Sequence, residues 1–119
     1  MTLRPVSLAL ALLLASGVAH AQTEQILRPT GTVTYDRVGT SVAVDGDRML
    51  VGIPGDDQGG NNAGAAVLYD YINGSWTETA TLVPPYAGDP QGAGYSVALD
   101  GDRAVLGAPY PAGYTGLAY

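Results

Sequence analysis

Short apolar runs separated by glycine, proline, aspartate and asparagine dominate the chain after its first twenty or so residues. Runs of this kind predict β-strands joined by tight turns. The predicted strands are Ser41–Val44, Arg48–Ile53, Ala65–Tyr71 and Trp76–Leu82. The second of them is almost continuously apolar, which indicates burial on both faces. No segment beyond the N-terminal stretch has a 3.6-residue period, so the sequence predicts an all-β fold.

Two dipeptides predict how these strands are joined. Asp45-Gly46 predicts a type I′ hairpin turn, because Asp and Gly tolerate the positive φ that both centres need. Asn73-Gly74 predicts a second tight turn, and Asn73-Gly74-Ser75 also fits a glycosylation sequon, although we favour the turn. The strand Trp76–Leu82 alternates its Trp, Glu, Ala and Leu on one side with threonine on the other. That alternation predicts a partly exposed strand.

One stretch of sequence occurs twice. Ser41-Val-Ala-Val-Asp-Gly-Asp-Arg48 returns fifty-five residues later as Ser96-Val-Ala-Leu-Asp-Gly-Asp-Arg103, and the same offset relates 23–54 to 78–109 without a gap. If three residues of the next loop are dropped, Gly64–Val67 also matches Gly116–Tyr119. A fixed offset predicts one supersecondary unit built twice. Antiparallel four-stranded units repeated radially are propeller blades, so we expect an incomplete β-propeller of about 1.7 blades.

The N-terminus has the features of a secretory signal. Arg4 supplies a positive charge, residues 6–18 are apolar or small, and Ala19-His20-Ala21 resembles a cleavage site. We predict a helical signal peptide at residues 1–21 and a secreted, periplasmic or cell-surface location. A buried or anchoring N-terminal helix is the alternative. No second long apolar stretch follows, so no membrane insertion is expected after the signal is removed.

Charge and missing residue types restrict the classes of function. Residues 22–119 carry four arginines, no lysine and eleven carboxylates, which makes them strongly acidic. An acidic surface repels nucleic acid, so no nucleic-acid partner is expected. The only histidine is His20, and the chain has no cysteine. Residues 22–119 therefore contain no Ser-His-Asp triad, Cys-His nucleophile, lysine Schiff base or usual zinc ligands.

The repeated motifs resemble the FG-GAP repeat. They are Val38-Gly-Thr-Ser-Val-Ala-Val-Asp-Gly-Asp47 with Val51-Gly-Ile-Pro54, and Ala93-Gly-Tyr-Ser-Val-Ala-Leu-Asp-Gly-Asp102 with Leu106-Gly-Ala-Pro109. The shared motif residues are Gly39, Ser41, Asp45, Gly46, Asp47, Gly52 and Pro54 in the first copy, and Gly94, Ser96, Asp100, Gly101, Asp102, Gly107, Ala108 and Pro109 in the second. The resemblance, to secreted bacterial members and to integrin alpha-subunit heads, implies propeller blades and a non-enzymatic binding or adhesion module with a protein or glycan ligand.

The resemblance divides the chain into four parts. These are a signal peptide at 1–21, the outer strand of a preceding blade plus a linker at 22–37, FG-GAP repeat 1 at 38–92 and a truncated repeat 2 at 93–119. Thr23–Leu27 is placed as the outer strand because it occupies the register of Glu78–Leu82; a frayed segment is the alternative. Two sheets alone leave apolar faces open, so further blades of the same or another chain are expected partners. Two other functions stay open: the propeller part of an extracellular enzyme whose catalytic domain is absent from this chain, and a nonfunctional truncated fragment.

Two departures from the family pattern bear on stability and metal binding. Val38 and Ala93 replace the Phe of the motif, which removes aromatic packing. Calcium-binding relatives carry a long D-x-D-x-D-G cage between the first two strands, whereas Asp45-Gly46-Asp47 and Asp100-Gly101-Asp102 are too short to surround a calcium ion. No cofactor is therefore expected. The alternative calcium loop consists of Asp56, Asp57, Asn61 and Asn62; the second copy has no carboxylate there, so we favour a solvated loop.

Other polar and aromatic residues have weaker claims to function. The pairs Asp45/Asp47 and Asp100/Asp102 could act as paired acids in glycoside cleavage, but a pair at every hairpin is better explained by the turn itself. Arg48 and Arg103 can pair with these acids, which adds little stability. Four tyrosines, Tyr69, Tyr71, Tyr110 and Tyr114, could line a sugar or peptide site, although strand packing is the favoured interpretation.

Overall fold

The structure, a computed structural model, describes residues 24–85, 91–110 and 116–119. In these ranges it contains seven β-strands and no helix, which confirms the all-β prediction. The strands are β1 (Val42–Asp45), β2 (Arg48–Ile53), β3 (Ala65–Ile72), β4 (Ser75–Leu82), β5 (Ser96–Asp100), β6 (Arg103–Ala108) and β7 (Leu117–Ala118). The predicted signal helix lies outside the described residues. Within them, no helix is long and apolar enough to span a membrane.

The strands form two antiparallel sheets with the same order of connection. The first sheet has the order β1-β2-β3-β4, and the second has the order β5-β6-β7. Gly52 pairs with Ala66 in the first sheet, and Gly107 pairs with Ala118 in the second. These are equivalent positions once three loop residues are dropped, so the second sheet repeats the first three strands of the first. The sheets follow one another as parts of successive propeller blades.

The turn between β1 and β2 differs from its predicted type. Asp45 pairs with Arg48 as the last residue of its strand, so the two turn residues are Gly46 and Asp47. Only Gly46 has a positive φ, at 57°. A positive φ at the first centre alone is the type II′ pattern, so the prediction of a type I′ turn at Asp45-Gly46 is wrong. The Asn73-Gly74 turn has positive φ at both centres, 51° and 85°, as a type I′ turn requires.

The two faces of each sheet pack against different neighbours. We call front the face with Val51 and Ile53 in the first sheet and with Leu106 and Ala108 in the second. The back face has Leu50 and Ala66 in the first sheet and Val105 and Ala118 in the second. The back face of the first sheet packs against the front face of the second. Complete burial of Leu50 in this contact stabilises the fold by about 2 kcal/mol. Leu27 packs on the front face of the first sheet, to which Trp76 also belongs.

A β-bulge in β4 divides its side chains between the two faces. Tyr69 pairs with Glu78 while Leu68 pairs with Ala80, so Thr79 is the extra residue. Trp76 therefore packs on the front face, and Leu82 packs on the back face. The prediction that Trp, Glu, Ala and Leu share one side of this strand is wrong, because the bulge reverses the alternation at Thr79. The prediction that the strand is partly exposed is confirmed.

The segment before β1 runs along the first sheet without forming a strand. Its described part, 24–41, includes residues 24–27, which were predicted to be an outer strand. The Gln25 side chain accepts a hydrogen bond from Trp76 N–H and donates one to Trp76 C=O, both at 2.9 Å. Thr30 donates two further hydrogen bonds to the Glu78 carboxylate. Each of these hydrogen bonds involves at least one side chain, so none of them is part of a backbone ladder.

Candidate functional site

The motif glycines lie where the two repeats touch. The Ser41 hydroxyl donates to the Gly94 carbonyl at 2.7 Å, and Ala93 N–H donates to Ala63 C=O at 2.9 Å. A Cβ added at Gly52 would collide with Gly94 C=O and with the Ser41 hydroxyl. Glycine is required here because the backbone of the second repeat passes directly over the sheet of the first.

The acidic turn motif joins the two hairpins. Gly101 N–H donates to Asp45 Oδ2 at 2.6 Å, and the Arg48 guanidinium donates to Gly101 C=O at 3.3 Å. Arg48 also forms an ion pair with Asp70 at 2.9 Å. The hydrogen bond from Arg48, followed by that from Thr79, lowers the pKa of Asp70. The same hydrogen bond and the charge of Asp70 raise the pKa of Arg48. Predicted pairing of Arg48 with its turn acids is therefore replaced by pairing with the opposite strand.

The structure uses the oxygens of the candidate calcium loop for the loop itself. Asp56 Oδ1 accepts from Gln58 N–H at 2.8 Å, and Asp57 Oδ1 accepts from Asn62 N–H at 2.7 Å. The Asn62 amide donates to Asn61 Oδ1. Desolvation is the largest cause of the raised pKa of Asp56, which is buried. No group of three or more His, Cys, Asp or Glu in 24–85, 91–110 and 116–119 could hold a metal ion.

The predicted tyrosine set separates into different environments. Tyr69 is 3% exposed in the front-face core, and its hydroxyl has no hydrogen-bond partner among the described residues. Desolvation, with a smaller contribution from Glu78, raises its pKa. Tyr71 is partly exposed and packs edge-to-face on Trp76 at 5.2 Å between ring centroids. Tyr110 remains exposed, and Tyr114 lies outside the described residues. Burial thus excludes Tyr69 from any ligand site.

A small cavity brings Tyr110 together with residues from the other repeat. Its volume is about 200 Å³, and its lining residues are Arg37, Pro54, Asn62, Gly92, Tyr95 and Tyr110. The Tyr95 and Tyr110 rings meet edge-to-face at 5.8 Å. A hydrogen bond with Tyr95 is the largest cause of the raised pKa of Tyr110, while the charge of Arg37 acts in the opposite direction. The cavity therefore combines aromatic rings, a guanidinium and an amide.

Backbone hydrogen bonds hold the walls of this cavity together. Asn62 C=O accepts from both Gln91 N–H and Gly92 N–H at 3.1 Å, and Tyr110 N–H donates to Gln91 C=O at 3.0 Å. Arg37 and Asn62 have positive φ values of 60° and 50°. Non-glycine residues in this region carry strain, and such residues concentrate at functional sites.

Sequence reasoning singled out Tyr110 and Asn62 but missed Arg37 and Tyr95. Tyr95 stands at the register of Thr40, and Tyr110 stands at the register of Gly55. Both tyrosines are therefore substitutions inside or beside an otherwise repeated motif. Positions where the second copy departs from the first could have pointed to this site.

Comparison with known proteins identifies the repeat. The family model described as FG-GAP repeat matches residues 22–69, a range that runs from the segment before β1 to Tyr69 in β3. A search of curated proteins and a search of solved structures gave no match. The match confirms the resemblance drawn from the repeated motifs, and the two antiparallel sheets agree with it. Residues 22–69 are therefore similar to the FG-GAP repeat, and the two antiparallel sheets are consistent with parts of β-propeller blades.

Proposed function

We propose that this chain is a secreted or cell-surface module that binds a ligand without catalysing a reaction, and that the cavity between Tyr95 and Tyr110 is its ligand site. The ligand class that fits best is a glycan. The observation that supports this site most directly is that one cavity is lined by Arg37, Asn62, Tyr95 and Tyr110.

The chemistry of the cavity supports a sugar ligand. The apolar faces of sugar rings stack on tyrosine, while their hydroxyl groups need nearby donors and acceptors. Arg37 supplies donors, and the side-chain amide of Asn62 can both donate and accept. A cavity of about 200 Å³ is smaller than a usual small-molecule site, which favours a single sugar ring over a long chain. A terminal or branching saccharide is thus the expected epitope.

Three further features support non-enzymatic binding outside the cell. Residues 22–119 contain no histidine, cysteine or lysine, and the N-terminus has the pattern of a secretory signal. The acids Asp45 and Asp70 are engaged in hydrogen bonds that hold the fold together. An adhesion role follows the resemblance to the integrin alpha-subunit heads, which use propellers for ligand binding.

A binding assay on two panels tests the proposal. The full chain is applied to immobilised oligosaccharides and, separately, to immobilised extracellular-matrix proteins. We expect binding to a subset of the oligosaccharides, and we expect Tyr110→Ala to weaken it at least about tenfold. Tyr71→Ala is the matched control, because Tyr71 is also a partly exposed ring in an edge-to-face pair but lies on a different part of the surface.

Each outcome has a defined meaning. Binding that Tyr110→Ala removes and Tyr71→Ala preserves supports the site. Binding confined to the protein panel would replace the glycan with a protein ligand. Equal loss in both variants, or no binding to either panel, would overturn the proposed site.

A further inference from the structure

The two repeats form one contact inside the chain. Its receiving half is the surface of the first sheet at Ser41 and Gly64, and its inserting half is the backbone of Ala93 and Gly94. Residues equivalent to each half are also found on exposed surfaces. Inside the chain, the first sheet receives the backbone of Ala93 and Gly94. Ser41 donates to Gly94 C=O, and Gly64 forms a parallel bridge with Ala93. Any surface that repeats this receiving arrangement can accept the same kind of segment.

The second sheet has the same residues as the receiving half, and there they line an open cavity. Ser96, Gly107 and Gly116 are the register equivalents of Ser41, Gly52 and Gly64. They lie in the lining of an open cavity of about 450 Å³, together with Leu117 and Ala118. The Ser96 hydroxyl has no hydrogen-bond partner among the described residues, whereas its equivalent Ser41 donates to Gly94.

In the first repeat, the residues equivalent to the inserting half have the same backbone conformation as that half. Arg37 and Gly92 have φ values of 60° and 65°, and Gly39 and Gly94 have φ values of 82° and 88°. Gly39 N–H donates to Gly52 C=O at 3.0 Å, as Gly94 N–H donates to Gly107 C=O at 3.1 Å. A Cβ added at Gly39 would meet no atom within 4 Å, whereas one at Gly94 would collide with the first sheet. The segment 37–40 is therefore preorganised and exposed.

Apolar side chains near these two exposed surfaces are also more exposed than their equivalents in the internal contact. Val42 and Val44 on the front face of the first sheet are 60% and 61% exposed, whereas their equivalents Val97 and Leu99 pack against the first sheet. On the back faces, Val105 is 48% exposed, whereas its equivalent Leu50 is fully buried. The β1 edge of the first sheet's front face, at Val42 and Val44, and the back face of the second sheet are thus surfaces that an additional contact would cover. Val51 and Ile53 on the same front face are already buried.

Side-chain sizes fit a contact between two copies of this chain. In the internal contact, Ala93 and Leu50 belong to the same buried cluster. At the equivalent positions of the open halves, Val38 replaces Ala93 and Val105 replaces Leu50. The larger residue on the inserting side is matched by a smaller residue on the receiving side, which preserves close packing.

We propose that a second copy of this chain inserts its segment 37–40 into the cavity at Ser96, Gly107 and Gly116, so that the chains associate head to tail. The internal contact is the template, and Asp100 takes the role of Asp45 by accepting from Gly46 N–H of the second copy. Leu27 does not obstruct this arrangement, because it covers the front face of the first sheet as its equivalent Leu82 covers that of the second. A contact of this kind is heterologous, so it generates rings or filaments.

Sedimentation velocity of the full chain between about 1 and about 200 µM tests the association, which must rise with concentration by mass action. Gly39→Ala is expected to weaken it at least about tenfold by colliding with the receiving sheet. Gly74→Ala is the matched control, because Gly74 has nearly the same φ and equally open surroundings but lies in a remote turn. The control should associate as the unmodified chain does.

A second variant tests the receiving side. In its own chain, Gly107→Ala meets chiefly the Ser96 hydroxyl, which can rotate away, and its β-rich circular dichroism spectrum should persist. We expect association to fall at least about tenfold, because the added methyl group would meet the inserted Gly39 carbonyl. A monomer across the whole concentration range, or equal association of Gly39→Ala and Gly74→Ala, would overturn the proposal. Arg37 belongs to the inserted segment and Tyr95 lines the receiving cavity, and both residues also line the glycan cavity. Glycan binding is therefore measured at a protein concentration low enough to give monomers, where the association variants should bind as the unmodified chain does, so the two proposals fail separately.

Discussion

Asp45 in the first hairpin and Gly101 in the second are joined by a 2.6 Å hydrogen bond from the Gly101 N–H to Asp45 Oδ2. The opposite side of the same residue, Gly101 C=O, accepts from Arg48. Both polar groups of one turn glycine are thus bound by the turn motif of the other repeat. The repeated Asp-Gly-Asp-Arg sequence therefore serves the contact between repeats in addition to its own hairpin.

Asp45→Ala should lower the free energy of unfolding by about 1 kcal/mol, because it removes this charge-assisted hydrogen bond. Urea denaturation at a protein concentration low enough to give monomers measures the change. Asp100→Ala is the matched control, since Asp100 occupies the same motif position without such a bond among the described residues. An equal loss in both variants would show that the carboxylate acts only within its own turn.

Deletion of Thr79 should move Trp76 out of the front-face core. The bulge at Thr79 lets Trp76 and Leu82 pack on opposite faces, and without it the alternation would place both on one face. We expect loss of one of the two clusters and destabilisation by at least about 2 kcal/mol. The chain has one tryptophan, so its fluorescence reports the change directly as a shift to longer wavelength.

Substitution of Thr79, compared with its deletion, separates the effect of the extra residue in the strand from the effect of its hydroxyl group. Thr79→Val keeps the bulge and removes only the hydroxyl that donates to Asp70 Oδ2 at 2.9 Å. Its fluorescence maximum should match that of the unmodified chain. A deletion variant with unchanged fluorescence and stability would mean that the bulge does not determine which face Trp76 occupies.

Tyr69→Phe should leave the free energy of unfolding unchanged or raise it by about 1 kcal/mol. The Tyr69 hydroxyl is buried without a hydrogen-bond partner in the described part of the chain, so its removal abolishes a desolvation cost. Thermal unfolding compared with Tyr71→Phe, whose ring is partly exposed, isolates the effect of burial. A loss of more than about 1 kcal/mol in Tyr69→Phe would reveal a stabilising partner for the hydroxyl.

Asp56 should make stability fall as the pH rises through its titration. Its folded-state pKa is raised above the ordinary value of 3.8, chiefly by desolvation, so the folded state binds more protons than the unfolded state in that window. Its contribution to stability is complete below the ordinary pKa and is lost as the pH passes the raised pKa. Asp56→Asn keeps an acceptor for Gln58 N–H and should remove this pH dependence.

Asp70 provides a control of opposite sign. Its pKa is lowered, first by the hydrogen bond from Arg48, so its contribution is present above the ordinary value and is lost as the pH falls through the lowered pKa. Asp70→Asn should therefore lower stability above the ordinary pKa and remove this loss on the acid side. A decline on raising the pH that persists in Asp56→Asn would assign it to another group.

The strands could be predicted closely from residue type and period. The predicted limits of β2 were correct, and those of β1, β3 and β4 differed by one residue at one or both ends. The structure agrees with the alignment of Gly116–Tyr119 on Gly64–Val67, because Gly107 pairs with Ala118 as Gly52 pairs with Ala66. These features could be predicted from the sequence because apolar runs and turn residues are local, and a repeat is found by comparing the chain with itself.

The candidate site and the side-chain faces were less accessible. Thr79 looks like any other exposed strand threonine, and only its pairing with β3 makes it a bulge. Arg37 and Tyr95 lie more than fifty residues apart, and hydrogen bonds from a third loop bring them to one cavity. The segment 24–27 has the register of a strand but binds β4 through the Gln25 side chain.

The sequence by itself determined the all-β class, the repetition of one sheet and the absence of histidine, cysteine and lysine chemistry beyond the N-terminal segment. Only the tertiary structure decided which face each β4 side chain occupies, which tyrosines remain accessible and which halves of the repeat contact stay open. The physical reason is that periodicity records whether a position faces inside or outside locally. Strand register, bulges and contacts between copies depend on hydrogen bonds and packing between residues that are distant along the chain.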